Sequence, residues 1–142
     1  MFLRTIKSAK IENGTRVLLR ADFDVVLKNG KILEDFRIKE VLPTLKFILA
    51  RGGRARIISH LGRPGGRRIA ALSMRHVASY LEKLLKRKVI FVPHPFVKGV
   101  FDKFNGSPEI LLFENIRFFE GEENNSPVLA RKLVRFGDIY VN

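Results

Sequence analysis

The feature that most constrains the fold is the alternation of short apolar runs with segments of helical periodicity. Five of the apolar runs have the length of a buried strand rather than of a helix: residues 16–21, 55–59, 89–92, 109–113 and 139–141. Strands that alternate with helices are typical of a parallel sheet whose right-handed crossovers place helices on both faces. The sequence therefore predicts an α/β fold with three layers, α/β/α, around a parallel sheet.

Turn residues between the first two predicted strands indicate a hairpin and then a helix. Asn29-Gly30 lies between alternating apolar residues, a pattern that favours a tight β-hairpin. Asp35 is expected to cap a helical segment that begins near Phe36. Because proline suits the first turn of a helix but not its interior, Pro43 is expected to divide this segment into a short turn and a second helix that begins near it.

Three further helices are predicted in the rest of the chain. Residues 72–86 show apolar side chains at helical spacing, with charged ones between them. Residues 96–104 suggest a short helix. Ser126 and Pro127 are expected to open the last helix, as its cap and its first residue.

Charged side chains follow several of the predicted strands, at the point where each strand ends. The loop IISHLGRPGG, residues 57–66, places a histidine and an arginine directly after the second strand. The carboxyl ends of parallel strands share one edge of the sheet, so the charged residues beside them are expected to meet there. They are Asp22, Asp24, Arg37, His60, Arg63 and Arg117.

This set of side chains indicates the kind of ligand. Arginine grips phosphate or carboxylate with paired hydrogen bonds, and an aspartate accepts a hydrogen bond from a hydroxyl group. A small, hydroxylated ligand with several negative charges would fit. A serine or cysteine nucleophile paired with a base is not evident, nor are the phosphate-binding patterns GxxxxGK[ST] and GxGxxG. The predicted domain therefore holds an anionic substrate without a nucleotide site.

Charge and cysteine content limit the other possibilities. Lys and Arg number 27 against 14 acidic residues, a net charge of +13 that attracts anions in general. The absence of cysteine excludes disulfides and cysteine-ligated zinc and is compatible with a reducing cytoplasm. Three scattered histidines do not predict a metal site. No apolar run approaches the roughly 20 residues of a membrane span.

Six segments, in order along nearly the whole chain, carry a family resemblance. They read VLLRADFDVVLKNGKI, EDFRI, LPTLKFIL, ISHLGRP, LLFENIRFFEGEE and GDIYVN. Together they resemble the amino-terminal domain of phosphoglycerate kinase, a Rossmann-like domain. The segments SHLGRP and LLFENIRF are the most specific to that family.

The resemblance implies a two-domain enzyme of glycolysis and gluconeogenesis. Such an enzyme transfers a phosphoryl group reversibly between 1,3-bisphosphoglycerate and ADP, giving 3-phosphoglycerate and ATP. Residues 1–142 would form the substrate-binding domain, whereas Mg-ATP or Mg-ADP would bind a carboxyl-terminal domain that this chain lacks. A cytoplasmic monomer is expected, with no membrane partner and no nucleic-acid partner.

The resemblance also implies roles for individual residues. Asp22 resembles the residue that accepts the substrate hydroxyl, and Arg37 resembles the catalytic arginine that steadies the transferring phosphoryl group. Three others resemble members of the basic substrate patch: His60, Arg63 and Arg117. By the same motifs, four further residues belong to the substrate site: Phe23, Asp24, Leu61 and Gly62.

The chain departs from the family pattern at two residues and at its end. The family usually reads DFNVP, where this chain has Asp24 for the asparagine and Val26 for the proline. A carboxylate beside an anionic substrate costs up to about 4 kcal/mol at ~4 Å and an effective dielectric of about 20, unless Asp24 is protonated or paired with Arg37 or Arg117. The family continues after VN with a DAFGTAHRAH-like segment, so the sheet is expected to be incomplete and the chain inactive alone.

Three other interpretations remain open at this point. A non-catalytic remnant would have lost substrate binding, with Asp24 as the mark of that loss. A basic nucleic-acid-binding module would account for the net charge, although the basic residues are scattered along the chain. A split enzyme would receive its nucleotide domain from a separate chain.

Overall fold

The structure, a computed structural model, describes residues 4–142 as one sheet with surrounding helices and a separate hairpin. The strands are β1 (Arg16–Arg20), β2 (Leu27–Lys28), β3 (Lys31–Ile32), β4 (Arg54–Ile58), β5 (Val89–Val92), β6 (Ile110–Phe113) and β7 (Ile139–Val141). The α-helices are α1 (Phe36–Ala50), α2 (Arg75–Leu85), α3 (Val100–Asn105) and α4 (Pro127–Val134). Short 3-10 turns cover Ile6–Ser8, Ala70–Leu72 and Ile116–Phe118.

All five strands of the main sheet run parallel, in the order β5-β6-β4-β1-β7. In the register of the inner strands, Leu19 of β1 lies beside Ile57 of β4 and Val141 of β7. The five strands predicted from apolar runs are confirmed, each to within one residue at either end. The direction of the crossovers reverses after β5, so the chain returns past β6 and then places β7 on the far side of β1.

Helices cover both faces of the sheet, which confirms the three layers. On one face α1 and α2 pack on alternate strand residues, and the core there includes Val17, Leu19, Ile57, Ile38 and Leu81. On the other face α3 and α4 cover Leu18, Ile58, Leu111 and Phe113, against which Leu133 of α4 packs. The crossovers toward β5 carry α1 and α2, and those that return carry α3 and α4, as right-handed connections require.

Helix α1 runs unbroken through Pro43, so the prediction of a short turn followed by a second helix near Pro43 was wrong. Pro43 has no N–H group, so the carbonyl of Lys39, four residues before it, lacks its helical hydrogen bond. Both residues are exposed. Water can satisfy that carbonyl. Burial of Ile38 before the proline and Leu45 after it holds both halves of the helix on one face of the sheet.

The hairpin is confirmed, but two predicted helix caps are not formed by side chains. Strands β2 and β3 pair antiparallel around Asn29 and Gly30, whose φ angles of 50° and 72° fit a tight hairpin turn. Asp35 makes no cap hydrogen bond, because its carboxylate accepts from the Tyr80 hydroxyl and the Lys39 ammonium. Ser126 occupies the N-cap position and Pro127 begins α4, as predicted, but the Ser126 side chain makes no cap hydrogen bond.

The helices α2 and α3 begin later than the sequence predicted. Residues 70–72 form a 3-10 turn, and α2 starts only at Arg75. Helix α3 starts at Val100, after Gly99, whose φ of 85° lies outside the helical region. No helix within residues 4–142 is long and apolar enough to span a membrane.

Candidate functional site

The candidate site lies at the carboxyl edge of the parallel sheet, where three segments follow neighbouring strands. Residues 21–24 follow β1, residues 59–63 follow β4, and residues 114–117 follow β6. Main-chain hydrogen bonds tie these segments together, from Ala21 N–H to the Ile58 carbonyl at 2.9 Å and from Ile116 N–H to the Ser59 carbonyl at 3.0 Å. The strand ends therefore meet in one place, as the parallel arrangement predicts.

Asp24 joins the segment after β1 to the segment after β4. Its Oδ1 accepts a hydrogen bond from Gly62 N–H at 2.8 Å, and its Oδ2 lies 3.5 Å from His60 Nε2. It is paired with neither Arg37 nor Arg117, the two cations that the sequence suggested. The carboxylate is therefore partly satisfied by a backbone amide and a histidine.

Asp22 and Arg37 form an ion pair at the mouth of an open cleft. The guanidinium of Arg37 donates to Asp22 Oδ2, and Asp22 Oδ1 accepts from Asp24 N–H at 3.1 Å. Both side chains are about half exposed, so solvent screens the pair and leaves it free to exchange partners. The cleft measures about 470 Å³, and Phe36 and Val141 also line it.

Arg117 is held by a glutamate that the sequence analysis did not identify. Arg117 Nε donates to Glu122 Oε2 at 3.1 Å, and its Nη1 donates to the Gly62 carbonyl at 3.0 Å. Glu122 Oε1 accepts from Arg20 Nη2 at 2.6 Å. Burial raises the pKa of Glu122, but the hydrogen bonds from Arg20 and Arg117 outweigh it, so its pKa lies below the ordinary value.

Glu114 is a buried acceptor beneath the site. Its carboxylate accepts from the Ser73 hydroxyl at 2.9 Å and from the N–H groups of Met74 and Asn115, each at 2.8 Å. These bonds join the end of β6 to the start of α2. Glu114 is buried and accepts all three bonds from the surrounding frame, so it fixes that frame without facing a ligand.

Asn115 and Ser59 align the loop that carries His60, Leu61 and Gly62. The Asn115 side-chain amide donates to the Leu61 carbonyl at 2.8 Å and to the Leu72 carbonyl at 2.9 Å. The Ser59 hydroxyl accepts from Phe23 N–H at 2.9 Å. Both residues are buried, so the loop lies on a rigid base.

Two of the residues assigned to the substrate site by motif have side chains in the core. Phe23 and Leu61 are almost fully buried, so only their main-chain groups could reach a ligand. Gly62 has a φ of +58°, and a side chain there would press on Leu72. Arg63 is exposed, and among residues 4–142 it has no ion-pair partner.

Taken together, the site presents more positive than negative groups at one edge of the sheet. Its cations are Arg20, Arg37, Arg63, Arg117 and, when protonated, His60; its carboxylates are Asp22, Asp24 and Glu122. A surplus of positive charge with several exposed donors suits a small anion. Within residues 4–142 no three His, Asp or Glu side chains are grouped closely enough to hold a metal ion.

Comparison with known proteins identifies the family. A family model described as phosphoglycerate kinase matches residues 6–142, nearly the whole chain. The chain belongs to the phosphoglycerate kinase family. Two curated relatives named phosphoglycerate kinase support this: one from Coprothermobacter proteolyticus is 41% identical over 145 residues, and one from Thermosipho africanus is 42% identical over 131 residues.

Solved structures of phosphoglycerate kinases have the same architecture. The enzyme from Coxiella burnetii aligns with 95% of the chain at 34% identity and a TM-score of 0.79. The enzyme from Pyrococcus horikoshii aligns with 99% of the chain at 28% identity and a TM-score of 0.84. The three-layer, Rossmann-like parallel sheet is thus the fold that these kinases share with the chain.

The matches cover nearly all of the chain but only part of each relative. The chain is covered to 100% and 91% by the two curated relatives, of which it spans 37% and 33%. It spans 33% and 36% of the two solved kinases. The chain therefore corresponds to about a third of a phosphoglycerate kinase.

Proposed function

We propose that this chain supplies the 3-phosphoglycerate site of a phosphoglycerate kinase. The reaction is reversible phosphoryl transfer between 1,3-bisphosphoglycerate and ADP, which yields 3-phosphoglycerate and ATP. The observation that carries the proposal is the gathering of Asp22, Arg37, His60 and Arg117 at one strand edge of a chain from this family. A cytoplasmic location and a monomeric state belong to the same proposal.

Each exposed side chain has a distinct part in this proposal. Arg63 has no ion-pair partner among residues 4–142 and is the cation with most freedom to meet the substrate phosphate. Arg37 leaves Asp22 to neutralise the transferring phosphoryl group, and Asp22 then accepts the hydroxyl of the substrate. Phosphoryl transfer depends mainly on positioning and charge neutralisation, which such side chains provide.

The nucleotide binds outside this chain in the same proposal. Mg-ATP or Mg-ADP would be held by the remaining length that curated relatives have and this chain does not span. Closure of the two parts would exclude water from the acyl phosphate.

The outer edge of β7 supports contact with further polypeptide. Two clefts flank this strand, one of about 260 Å³ on the α4 side and one of about 470 Å³ on the α1 side. Apolar side chains stand exposed around them, Phe36 at 63%, Val134 at 56% and Tyr140 at 55%. Within residues 4–142 no strand pairs with this edge, and an edge with apolar clefts on both sides suits another strand, from the same or from a separate chain.

A coupled assay of the purified 142-residue chain tests the proposal that this chain binds 3-phosphoglycerate while the nucleotide binds outside it. We expect no turnover of 3-phosphoglycerate with Mg-ATP by the chain alone, above the level of an Arg37→Ala control. Addition of the carboxyl-terminal two thirds of the Coprothermobacter proteolyticus relative should restore turnover, and Arg37→Ala should remove it. Turnover by the unaided chain above the Arg37→Ala level would contradict the proposal.

One observation favours the alternative of a non-catalytic remnant. Asp24 places a carboxylate, with 39% of its side chain exposed, where the family pattern has an amide. A remnant would fold but would not bind 3-phosphoglycerate, whereas the leading proposal requires binding that Asp24 merely weakens.

A further inference from the structure

We propose that a cleft at the amino-terminal edge of the sheet, opposite the candidate site, binds a second small anion that carries a phosphate group. The cleft measures about 370 Å³. Arg54 opens β4, Lys88 directly precedes β5, and Glu109 directly precedes β6, and all three line it. Because the strands are parallel, this edge is the full length of the sheet away from His60 and Arg117.

The cations of this cleft lack counter-ions. Arg54, Arg87 and Lys88 converge on it, and none of them has a carboxylate oxygen within 4.0 Å among residues 4–142. At the candidate site, by contrast, Arg20, Arg37 and Arg117 are each paired with a carboxylate. Three like charges around one cavity repel each other, and an anion bound between them relieves that repulsion.

Glu109 is the carboxylate that lines the cleft, and its oxygen is already engaged. The Ser107 hydroxyl donates to Glu109 Oε2. This hydrogen bond, then the Glu109 main chain, and more weakly the charges of Lys88 and Arg56, lower the pKa of Glu109 below its ordinary value. One carboxylate against three cations leaves the cleft positively charged.

A fourth cation lies behind the cleft. Arg56 is 1% exposed, and its guanidinium donates to the main-chain carbonyls of Ala55, Phe104, Ser107 and Glu109 rather than to a carboxylate. Burial, and then the charges of Arg54 and Arg16, lower its pKa to about 10. The charge of Arg56 thus adds to the positive potential at this end of the sheet.

The lining of the cleft favours a small molecule over a nucleic acid. Leu49, Pro108 and Ile110 provide an apolar wall, and Asn13 provides a polar side chain. A metabolite with a phosphate and a less polar body fits such a lining. Single-stranded nucleic acid is held by aromatic side chains on which bases stack, and among residues 4–142 no aromatic side chain lines this cleft.

A titration with inorganic pyrophosphate, followed residue by residue in ¹H–¹⁵N NMR spectra of the chain, tests the proposal. We expect saturable shifts at the amides of Gly53, Arg54 and Lys88, separate from any shifts at Gly62 and Arg63. The double variant Arg87→Gln/Lys88→Gln should weaken the first set about tenfold, the combined loss of two exposed ion pairs. The double variant Lys46→Gln/Lys83→Gln makes the same charge change outside the cleft and should bind as the parent does.

Several outcomes would overturn the proposal. Shifts confined to Gly62 and Arg63, shifts that never saturate, or equal weakening in both double variants would each do so. If Arg87→Gln/Lys88→Gln fails to fold, Glu109→Gln provides the second test, because removing the carboxylate should tighten pyrophosphate binding. Tighter binding of a single-stranded RNA than of pyrophosphate, with shifts spread over the whole basic surface, would assign the charge to nucleic acid instead.

Discussion

Asp24 has two opposite effects on the candidate site. Through Oδ1 it accepts the Gly62 N–H at 2.8 Å and so fixes the loop that carries His60. Through Oδ2 it adds a negative charge, 3.5 Å from His60 Nε2, to a site that is otherwise suited to anions. An asparagine would keep the first effect, since its amide oxygen also accepts a hydrogen bond, and would remove the second.

We therefore expect Asp24→Asn to tighten the binding of 3-phosphoglycerate by about tenfold, or roughly 1.4 kcal/mol. Asp24→Ala should instead weaken binding, because the Gly62 amide loses its acceptor. Asp102→Asn removes an exposed carboxylate in α3 and serves as the charge-matched control. Calorimetry on the three variants gives the dissociation constants of 3-phosphoglycerate to be compared. An unchanged affinity in Asp24→Asn would contradict the expectation that the Asp24 charge repels the substrate.

Glu122 should stabilise the fold in a pH-dependent way. Its folded pKa lies below the ordinary value of 4.5 once the hydrogen bonds from Arg20 and Arg117 outweigh burial. Its contribution is therefore complete above that ordinary value and is lost as the pH falls through the lower folded pKa. Glu122→Gln should lower the free energy of unfolding by about 1–3 kcal/mol at pH 7.

Urea unfolding of the parent and of Glu122→Gln, at pH 7 and at pH 3, measures this effect. The difference between the two proteins should be smaller at pH 3. Glu123→Gln alters an exposed neighbour without an ion pair among residues 4–142, and it should leave stability unchanged. A difference for Glu122→Gln that grows toward pH 3 would contradict the assignment.

For the charged residues that follow the strands, the position in the fold was easier to predict from the sequence than the hydrogen-bond partners. The edge of the sheet and its charged residues followed from the apolar runs and from parallel topology. Glu122 was not found, because its partner Arg20 lies 102 residues away along the chain and no local pattern joins them. Likewise, the family motifs placed Phe23 and Leu61 in the substrate site, although packing buries both side chains.

At the scale of the elements, a buried arginine of β4, Arg56, forms hydrogen bonds to the connection between α3 and β6. Arg56 lies on the face covered by α3 and α4. It donates to the carbonyl of Phe104, within α3, at 3.2 Å and to the carbonyl of Ser107, just beyond α3, at 2.6 Å. It also donates to the carbonyl of Glu109 at 2.9 Å. Through these bonds one side chain of β4 holds the connection from α3 into β6.

We expect Arg56→Met to destabilise the chain by about 2–4 kcal/mol, because buried carbonyls lose their donor. Arg56→Lys keeps the charge but donates in fewer directions than arginine, so we expect it to destabilise the chain less than Arg56→Met does. Thermal unfolding of the two variants makes the comparison. A Met variant at least as stable as the parent would mean that the cost of burying the charge exceeds the value of its hydrogen bonds.

Elements with strong local signals were predicted well, and those that depend on packing were not. The hairpin followed from Asn29-Gly30, because its backbone needs residues that tolerate positive φ. The continuity of α1 through Pro43 was missed, since it depends on Ile38 and Leu45 being buried on the same face. The late start of α2 was missed because Leu72 is apolar in a 3-10 turn as well as in a helix.

At the scale of the whole molecule, a group of positive side chains lies at each of two opposite edges of the sheet. At the carboxyl edge Arg20, Arg37 and Arg117 are each paired with a carboxylate, and in our proposal the substrate displaces Asp22 from Arg37. At the amino edge Arg54, Arg87 and Lys88 line a cleft and have no such partners among residues 4–142. We propose that these two groups of cations bind different anions, whereas the other basic residues are scattered along the chain.

The central claim is that the carboxyl edge forms a working 3-phosphoglycerate site, and calorimetric titration of the purified chain tests it most directly. We expect saturable binding that Arg63→Ala weakens at least tenfold, because Arg63 is an exposed arginine of the site that forms no ion pair among residues 4–142. Lys46→Ala removes an exposed charge from α1 and should bind as the parent does. No binding by a chain that unfolds cooperatively, and is therefore folded, would contradict the claim and favour a non-catalytic remnant.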